Sequence, residues 1–281
     1  QSLNINKLPM MNALTINKSG GVATLARNLA VNVVAGQDLT ITAGTLDLAG
    51  YTLTVGDVLT NDGTITASGA GTPIAAGTLT STVATSQVRY TGNAADGAVT
   101  VKVGTYGKLE VDNPGTTFTL GGAATLKGNA SITTGSTLDV SASNYGLTVA
   151  GNWANTGTFT PRAGTVTLNG LNQALTGATT FYRLSKVVST SDTLTFPAGV
   201  TTTIQNDLTL QGPAKNSLLY LRSAIAGTQA KLTLQSGGTQ SILYVDVKDS
   251  DASGGLQLIA SDSTNSGNNL NWSFPTLTID L

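Results

Sequence analysis

The sequence contains no cysteine and no histidine. Without cysteine, the chain has no disulfides, thiolate metal sites or cysteine nucleophiles, and without histidine it lacks the commonest general base and metal ligand near neutral pH. Only 10% of the residues are charged, against about 25% in an average soluble domain. Aromatic residues are 5%, so the core must consist mainly of small aliphatic side chains.

The charges that do occur are balanced and scattered. There are 14 basic and 15 acidic residues, without the concentrated basic face that nucleic-acid binding needs, so no nucleic-acid partner is expected. No uncharged apolar run approaches the roughly 18 residues of a transmembrane helix, so no membrane insertion is expected. The first residue is Gln1, which we interpret as the start of a mature, exported protein after signal-peptide removal.

A long internal repeat organises the chain. The stretch Thr45–Thr66, TLDLAGYTLTVGDVLTNDGTIT, returns in degenerate form at Thr137–Thr160, with Tyr51 corresponding to Tyr145, 94 positions later (145 − 51). Within each copy, short runs alternate apolar and polar residues between Gly, Asn and Asp. This pattern is typical of stacked coils of short β-strands.

The strands are too closely spaced for a β-sandwich, whose turns typically come every 8–12 residues. Runs of about four residues with corners of two or three predict an all-β, parallel β-solenoid with three short faces per coil, roughly 18–25 residues each. We expect an N-terminal head strand or cap at 1–13 and solenoid coils at 14–212, with degenerate long repeats starting at 14, 109 and 184. Wider coils or a β-rich C-terminal cap follow at 213–274, and a tail strand at 275–281.

Three segments of the sequence resemble known sequences: GTVTLNGLNQALTGATTFYRLSK from Gly164, LLYLRSAIAGTQAKLTLQSGGTQSILYVDVKDSDASGG from Leu218 and DSTNSGNNLNWSF from Asp262. They resemble segments of large bacterial surface and secreted proteins of the filamentous-haemagglutinin and adhesin type. The resemblance implies a right-handed β-solenoid and an extracellular or cell-surface location. It carries no catalytic residues over to this chain.

Threonine triplets offer a first candidate surface. Thr40-Ile41-Thr42, Thr52-Leu53-Thr54 and Thr64-Ile65-Thr66 start at equal intervals of 12 positions (52 − 40 and 64 − 52). If they stack on one flat face, that face could order water and bind ice. The alternative is that threonine is simply a preferred outward residue of β-strands.

Carboxylates and aromatic residues give further candidates. Asp246, Asp249 and Asp251 could supply oxygen ligands for calcium, the only cofactor the pattern suggests, or form a self-satisfied turn. Asp47 and Asp139 occupy equivalent places in the two copies, which favours a corner role over a glycosidase pair, and no enzyme activity is expected. The aromatic residues Trp153, Tyr182, Tyr220, Tyr244 and Trp272 favour corner and end packing over a sugar-stacking surface.

The pattern at each end of the chain predicts a short strand of alternating apolar and polar residues, set off from the main body by a proline. Leu3, Ile5 and Leu8 lie in the head, and Leu277, Ile279 and Leu281 in the tail. Addition of a tail strand to the head of the next subunit would give an open, head-to-tail polymer. The alternative is that both segments fold back as caps. We therefore expect a non-catalytic extracellular structural protein, a subunit of a surface filament or matrix or an adhesin stalk, with copies of itself and glycans as partners. An ice- or glycan-binding module is the alternative.

Overall fold

The computed structural model describes residues 2–3, 13–31, 38–92 and 98–276. The chain divides into two compact units, Gln1–Leu147 and Thr148–Leu281. The described residues form strands and turns, and they contain no helix that could span a membrane. The predicted tail strand and most of the predicted head strand lie outside the described residues.

Among its described residues, the first unit contains fifteen complete strands. Their bounds are β1 Ser2–Leu3, β2 Leu14–Leu25, β3 Leu29–Val31, β4 Leu39–Asp47, β5 Leu53–Asn61, β6 Thr64–Ala67, β7 Ile74–Thr80, β8 Gln87–Tyr90, β9 Val99–Val101, β10 Gly104–Tyr106, β11 Lys108–Val111, β12 Thr117–Leu120, β13 Ala124–Leu126, β14 Ala130–Ile132 and β15 Thr137–Asp139. Strand β16, Leu147–Val149, includes the point where the chain passes into the second unit.

The second unit contains the remaining strands. Their bounds are β17 Trp153–Asn155, β18 Thr158–Thr160, β19 Thr165–Leu168, β20 Gln173–Thr176, β21 Thr179–Val187, β22 Asp192–Phe196, β23 Thr201–Gln211, β24 Leu219–Ser223, β25 Ala230–Leu234, β26 Thr239–Leu243, β27 Val245–Val247, β28 Ser250–Asp251, β29 Leu258–Ser261, β30 Thr264–Asn265, β31 Asn269–Leu270 and β32 Trp272–Ser273.

Parallel sheets run through the first unit. Its main sheet has the order β1-β2-β4-β6-β8-β11-β14, a second has β10 beside β13, and a third has β9-β12-β15. Each of the coils 104–120 and 124–139 gives one strand to each sheet, so three faces per coil are confirmed there. The predicted coil length is also confirmed in this unit. Thr45 pairs with Thr64 and Leu14 pairs with Leu39, which are intervals of 19 positions (64 − 45) and 25 positions (39 − 14).

The second unit is also a parallel solenoid, but its coils lengthen. One sheet has the order β17-β20-β22-β24-β27-β30 and another has β19-β21-β23-β25-β28-β31. Strands β25 and β26 both pair with the long strand β23, which turns a corner. Gln173 pairs with Leu194, whereas Leu208 pairs with Gln240, so the interval between paired residues grows from 21 positions (194 − 173) to 32 positions (240 − 208).

Small aliphatic residues stack inside both units because alternate strand positions point inward. In the first unit one interior ladder runs Ala23, Leu46, Ile65, Val88, Leu109 and Ala130, all buried. Each aliphatic side chain thus lies over a similar one from the neighbouring coil. This burial supplies the main favourable term for a fold with so few large side chains.

The close stacking of coils leaves little room at the corners. A Cβ atom added to Gly44, whose φ is 84°, would lie 2.0 Å from the carbonyl oxygen of Lys18 in the neighbouring coil. Glycine is therefore required at this corner for both its conformation and its size.

These features confirm the predicted all-β parallel solenoid, including its repeated coils. The right-handed sense implied by the resemblance stays a prediction. The proposed segment boundaries at 13/14, 212/213 and 274/275 also stay predictions.

Candidate functional site

An outward ladder of threonines lies on the first unit. Thr15 pairs with Thr40, Thr40 with Thr60, and Thr60 with Thr80, so four successive coils present a hydroxyl at one register. The inward neighbours Leu39, Leu59 and Leu79 are buried beneath them. The ladder is a polar strip laid over an aliphatic core.

The three threonine triplets do not stack on one another, so the condition for the ice-binding alternative is not met by them. Thr40 lies opposite Thr60, Thr54 lies opposite Ala75, and Thr64 lies opposite Thr45, so no triplet lies opposite another. The reason is that a full coil at Thr40 takes 20 positions (60 − 40), so the shorter interval between the triplets carries the chain to a different face. The triplets therefore do not make the single face that the ice-binding hypothesis required.

The second unit carries a matching hydroxyl ladder. Thr167 pairs with Ser185, Ser185 with Thr209, and Thr209 with Ser241. Gln211, on the same strand as Thr209, donates from Nε2 to the Ser241 hydroxyl at 2.8 Å. Both units thus present hydroxyl groups at the spacing of a parallel sheet, about 4.8 Å.

Charged residues on the main sheet of the first unit pair with one another. The Nε of Arg89 lies 2.9 Å from Oε1 of Glu110, and the same guanidinium contacts Asp112. A hydrogen bond from the Thr133 hydroxyl, followed by the contact with Arg89, holds the pKa of Asp112 below its ordinary value. The three charges thus join two adjacent coils, and the Thr133 hydroxyl links Asp112 to a third.

Asp47 and Asp139 have the same local role, as their repeated position predicted. Oδ1 of Asp47 accepts a hydrogen bond from the N–H of Ala49 at 3.0 Å, and Oδ1 of Asp139 accepts one from Ser141 at 2.8 Å. Ala49 and Ser141 both have positive φ, 50° and 72°. Each carboxylate therefore stabilises a tight corner at the end of a strand, in the manner of an Asx turn.

The three aspartates of the calcium hypothesis bind different partners. Oδ1 of Asp246 lies 3.0 Å from Nη1 of Arg222. Asp249 accepts from the side chain of Asn268 at 2.6 Å, and this bond lowers its pKa. Asp251 accepts from the N–H of Ser253 at 2.8 Å. Within the part of the chain that the structure describes, no three acidic side chains form a group that could hold a metal ion. The calcium site stays a prediction that the geometry does not favour.

The predicted aromatic residues do not form a common surface. Trp153 is fully buried and packs against Phe159 and Phe181, with ring centroids 4.9 and 5.3 Å apart. Tyr182, Tyr220, Tyr244 and Trp272 are half-buried. Trp153 therefore fills the core of the second unit, as the packing interpretation expects.

A buried polar trio in the second unit was not anticipated from the sequence. Lys186 is fully buried, and its Nζ lies 2.6 Å from Oδ2 of Asp192, 2.9 Å from Oε1 of Gln173 and 2.8 Å from the carbonyl oxygen of Gly170. The three donor positions of the ammonium group are thus all used. Oδ1 of Asp192 accepts from the N–H groups of Asn172 and Thr193.

The trio occupies interior ladder positions. In the following coils Lys186 is replaced by Leu210 and Ile242, and Asp192 by Leu219 and Val245. Burial lowers the pKa of Lys186, and Asp192 opposes this effect. Burial would raise the pKa of Asp192, but its N–H donors and Lys186 outweigh that effect and lower it. The sequence signal was present: Lys186 keeps the inward alternation of Leu184.

Asparagine side chains of the last described coil bind it to the preceding coils. Nδ2 of Asn268 donates to the carbonyl oxygen of Gly227, that of Asn269 to Val247, and that of Asn271 to Ala252. These amides satisfy backbone carbonyls of the preceding coils. Among the described residues, the strands β30, β31 and β32 each pair with one strand only, so each has one edge without a partner strand there.

The predicted assembly residues are mostly outside the described part of the chain. Of these, only Leu3 is described; it lies in β1, whose backbone pairs with Leu25 of β2. Ile5, Leu8, Leu277, Ile279 and Leu281 fall outside the described residues. The pairing of β1 within its own chain occupies one edge of that strand, so strand addition at the head must use another edge.

No family model, curated protein or solved structure matches this chain. The β-solenoid fold is consistent with the resemblance to surface proteins of the filamentous-haemagglutinin and adhesin type.

Proposed function

We propose that this chain is a non-catalytic structural protein of the extracellular surface. Its role is that of a subunit of a self-assembling filament or matrix, or of a stalk segment in an adhesin of the filamentous-haemagglutinin type. The observation that carries the proposal is the in-register stacking of coils in each unit, with aliphatic ladders inside and hydroxyl ladders outside. Such stacking is suited to length and stiffness, since each coil rests on its neighbours.

The polar groups support this role by what they bind. Arg89 joins Glu110 and Asp112 of the neighbouring coil, and Lys186 joins Asp192 inside the second unit. Asp47 stabilises a corner. The charged groups are thus engaged in holding coils together, and the neutral hydroxyl surface suits an exported protein with so few charges.

Backbone edges supply the means of association. The strands of the last described coil have edge positions without a strand partner among the described residues, and such edges pair readily with other chains. The first coil of a second copy would continue the parallel stack there. In the proposal the tail of the first copy, with its alternating apolar residues Leu277, Ile279 and Leu281, adds as a strand to the head region of that second copy, which gives an open head-to-tail polymer.

The test is sedimentation velocity over a range of protein concentrations. We expect the wild-type chain to sediment faster as its concentration rises, and the Leu277→Ser/Ile279→Ser variant to remain a monomer. The matched control is Thr278→Ser/Asp280→Asn, which alters the alternate face of the same segment and should assemble like wild type. A wild-type chain that stays monomeric at all concentrations rejects the filament, and equal behaviour of both variants rejects the tail as the adding strand.

A further inference from the structure

A small notch opens on the second unit where two coils separate. Lys231 lies opposite Asp251, and the N–H of Leu256 donates to the carbonyl oxygen of Leu234. An unbroken parallel register would place residue 255 at that donor position, so the outer coil carries one extra residue. The extra residue lies in a turn after β28, in which the N–H of Gly255 donates to the carbonyl oxygen of Ala252.

Glycine keeps the notch open. A Cβ atom on Gly254 would lie 2.7 Å from Oγ1 of Thr233, which forms part of the floor, and one on Gly255 would lie 2.2 Å from the carbonyl oxygen of Leu234. The notch has a volume of about 190 Å³ and is lined by six residues, Thr201, Lys231, Thr233, Asp251, Ser253 and Gly254. Pockets for drug-sized ligands hold roughly 300–1,000 Å³, so this one suits a smaller molecule.

The side chains around the notch offer every kind of hydrogen-bonding group. Lys231 donates only, and Asp251 accepts only while ionised. The hydroxyl and N–H of Ser253 hold the pKa of Asp251 below its ordinary value, so it is a carboxylate at neutral pH. The hydroxyls of Thr201 and Thr233 do both.

This mixture selects the class of ligand. The positive charge of Lys231 and the negative charge of Asp251 oppose each other, which gives no preference for an anion or a cation. A ligand whose groups both donate and accept can satisfy all the side chains at once. Several hydroxyls fixed on one ring meet this condition, and they replace several waters in one event.

We propose that this notch binds a neutral hexopyranose unit of a glycan. The ring hydroxyls accept from Lys231 and donate to Asp251, and they exchange hydrogen bonds with Thr201 and Thr233. The inference concerns the second unit only and does not depend on self-assembly. It would add a recognition function to the structural role.

The test is a nuclear magnetic resonance titration of the ¹⁵N-labelled chain. Free glucose, galactose, mannose and N-acetylglucosamine are added separately, and the backbone amide signals of Ser253 and Gly254 are followed. We expect saturable shifts for at least one sugar at millimolar concentration, an affinity usual for a single small polar site. The absence of saturable shifts for all four sugars overturns the proposal.

Two matched variants locate the binding. Thr233→Val removes a notch hydroxyl with little change of shape and should weaken binding about three- to tenfold. Thr209→Val removes a hydroxyl of the same sheet outside the notch and should bind like wild type. Asp251→Asn keeps the acceptor for Ser253 and should weaken binding about tenfold or more, because it replaces a charged acceptor. Equal affinity of the two valine variants, at equal unfolding midpoints, also overturns the proposal.

Discussion

Removing the charge of Lys186 should destabilise the second unit strongly. In Lys186→Leu the carboxylate of Asp192 stays buried and loses its contact at 2.6 Å, and the carbonyl oxygen of Gly170 loses a donor. Breaking a buried ion pair on one side costs about 3–5 kcal/mol. A second change, Asp192→Asn, removes the stranded charge while keeping an acceptor for Asn172 and Thr193, so the double variant should recover most of the loss.

The assay is denaturant unfolding of wild type, both single variants and the double variant, analysed as a cycle. Lys215→Leu is the control, because Lys215 is exposed, and its expected change is within about 0.5 kcal/mol. The pH dependence adds a second readout. In wild type the lowered pKa of Asp192 makes stability fall as pH drops below the ordinary value of 3.8. In Lys186→Leu the pKa of Asp192 should be higher than in wild type, because the lysine no longer lowers it, so the loss of stability on acidification should be smaller than in wild type. A loss under about 1 kcal/mol for Lys186→Leu, or strict additivity in the double variant, refutes the reasoning.

Three other predictions concern two buried tyrosines, two glycines and the buried Trp153. Burial raises the pKa of Tyr90 to about 12 and also raises the pKa of Tyr106. The free energy of unfolding should therefore fall as pH rises above 10, and an ultraviolet titration should show these two tyrosines ionising last. Gly170→Ala should lower the free energy of unfolding by about 3 kcal/mol or more, because the added Cβ would lie 1.7 Å from the carbonyl oxygen of Ala150. Gly50→Ala has nothing within 4 Å of the added Cβ, so it should lose only the roughly 1–2 kcal/mol of a non-glycine residue in the left-handed region. Unfolding midpoints compare the two variants, and equal losses would contradict the steric argument. Trp153→Ala should lower the free energy of unfolding by about 3–5 kcal/mol. Because Trp153 is buried, the variant should also lose the part of the tryptophan fluorescence that a soluble quencher cannot reach. Complete quenching of the wild-type fluorescence would contradict the burial of Trp153.

The sequence predicts the fold because each coil repeats a local pattern. Alternation around Leu46, Ile65 and Val88 places one aliphatic side chain per coil inside, and glycine and asparagine mark the corners. These signals need no knowledge of long-range contacts. The paired corner role of Asp47 and Asp139 was also predictable, because an Asx turn involves only neighbouring residues.

Register between coils was harder to predict. The threonine triplets mislead because their regular interval is shorter than a coil, and only the pairing of Thr40 with Thr60 shows which hydroxyls align. Alternation marks Lys186 as inward-facing, but only the stacking of coils shows that its ammonium group meets Gln173 and the carbonyl oxygen of Gly170 as well as Asp192. The notch at Thr233 results from one extra residue in the next coil, which becomes visible only when the two coils are superposed.

The most direct test of the structural role is electron microscopy of the purified chain at increasing concentration, combined with fibre diffraction. We expect unbranched filaments of uniform width with a repeat of about 4.8 Å along the axis, because strand addition continues the parallel stacking of coils. Dispersed single particles at every concentration, or aggregates without that axial repeat, would contradict it.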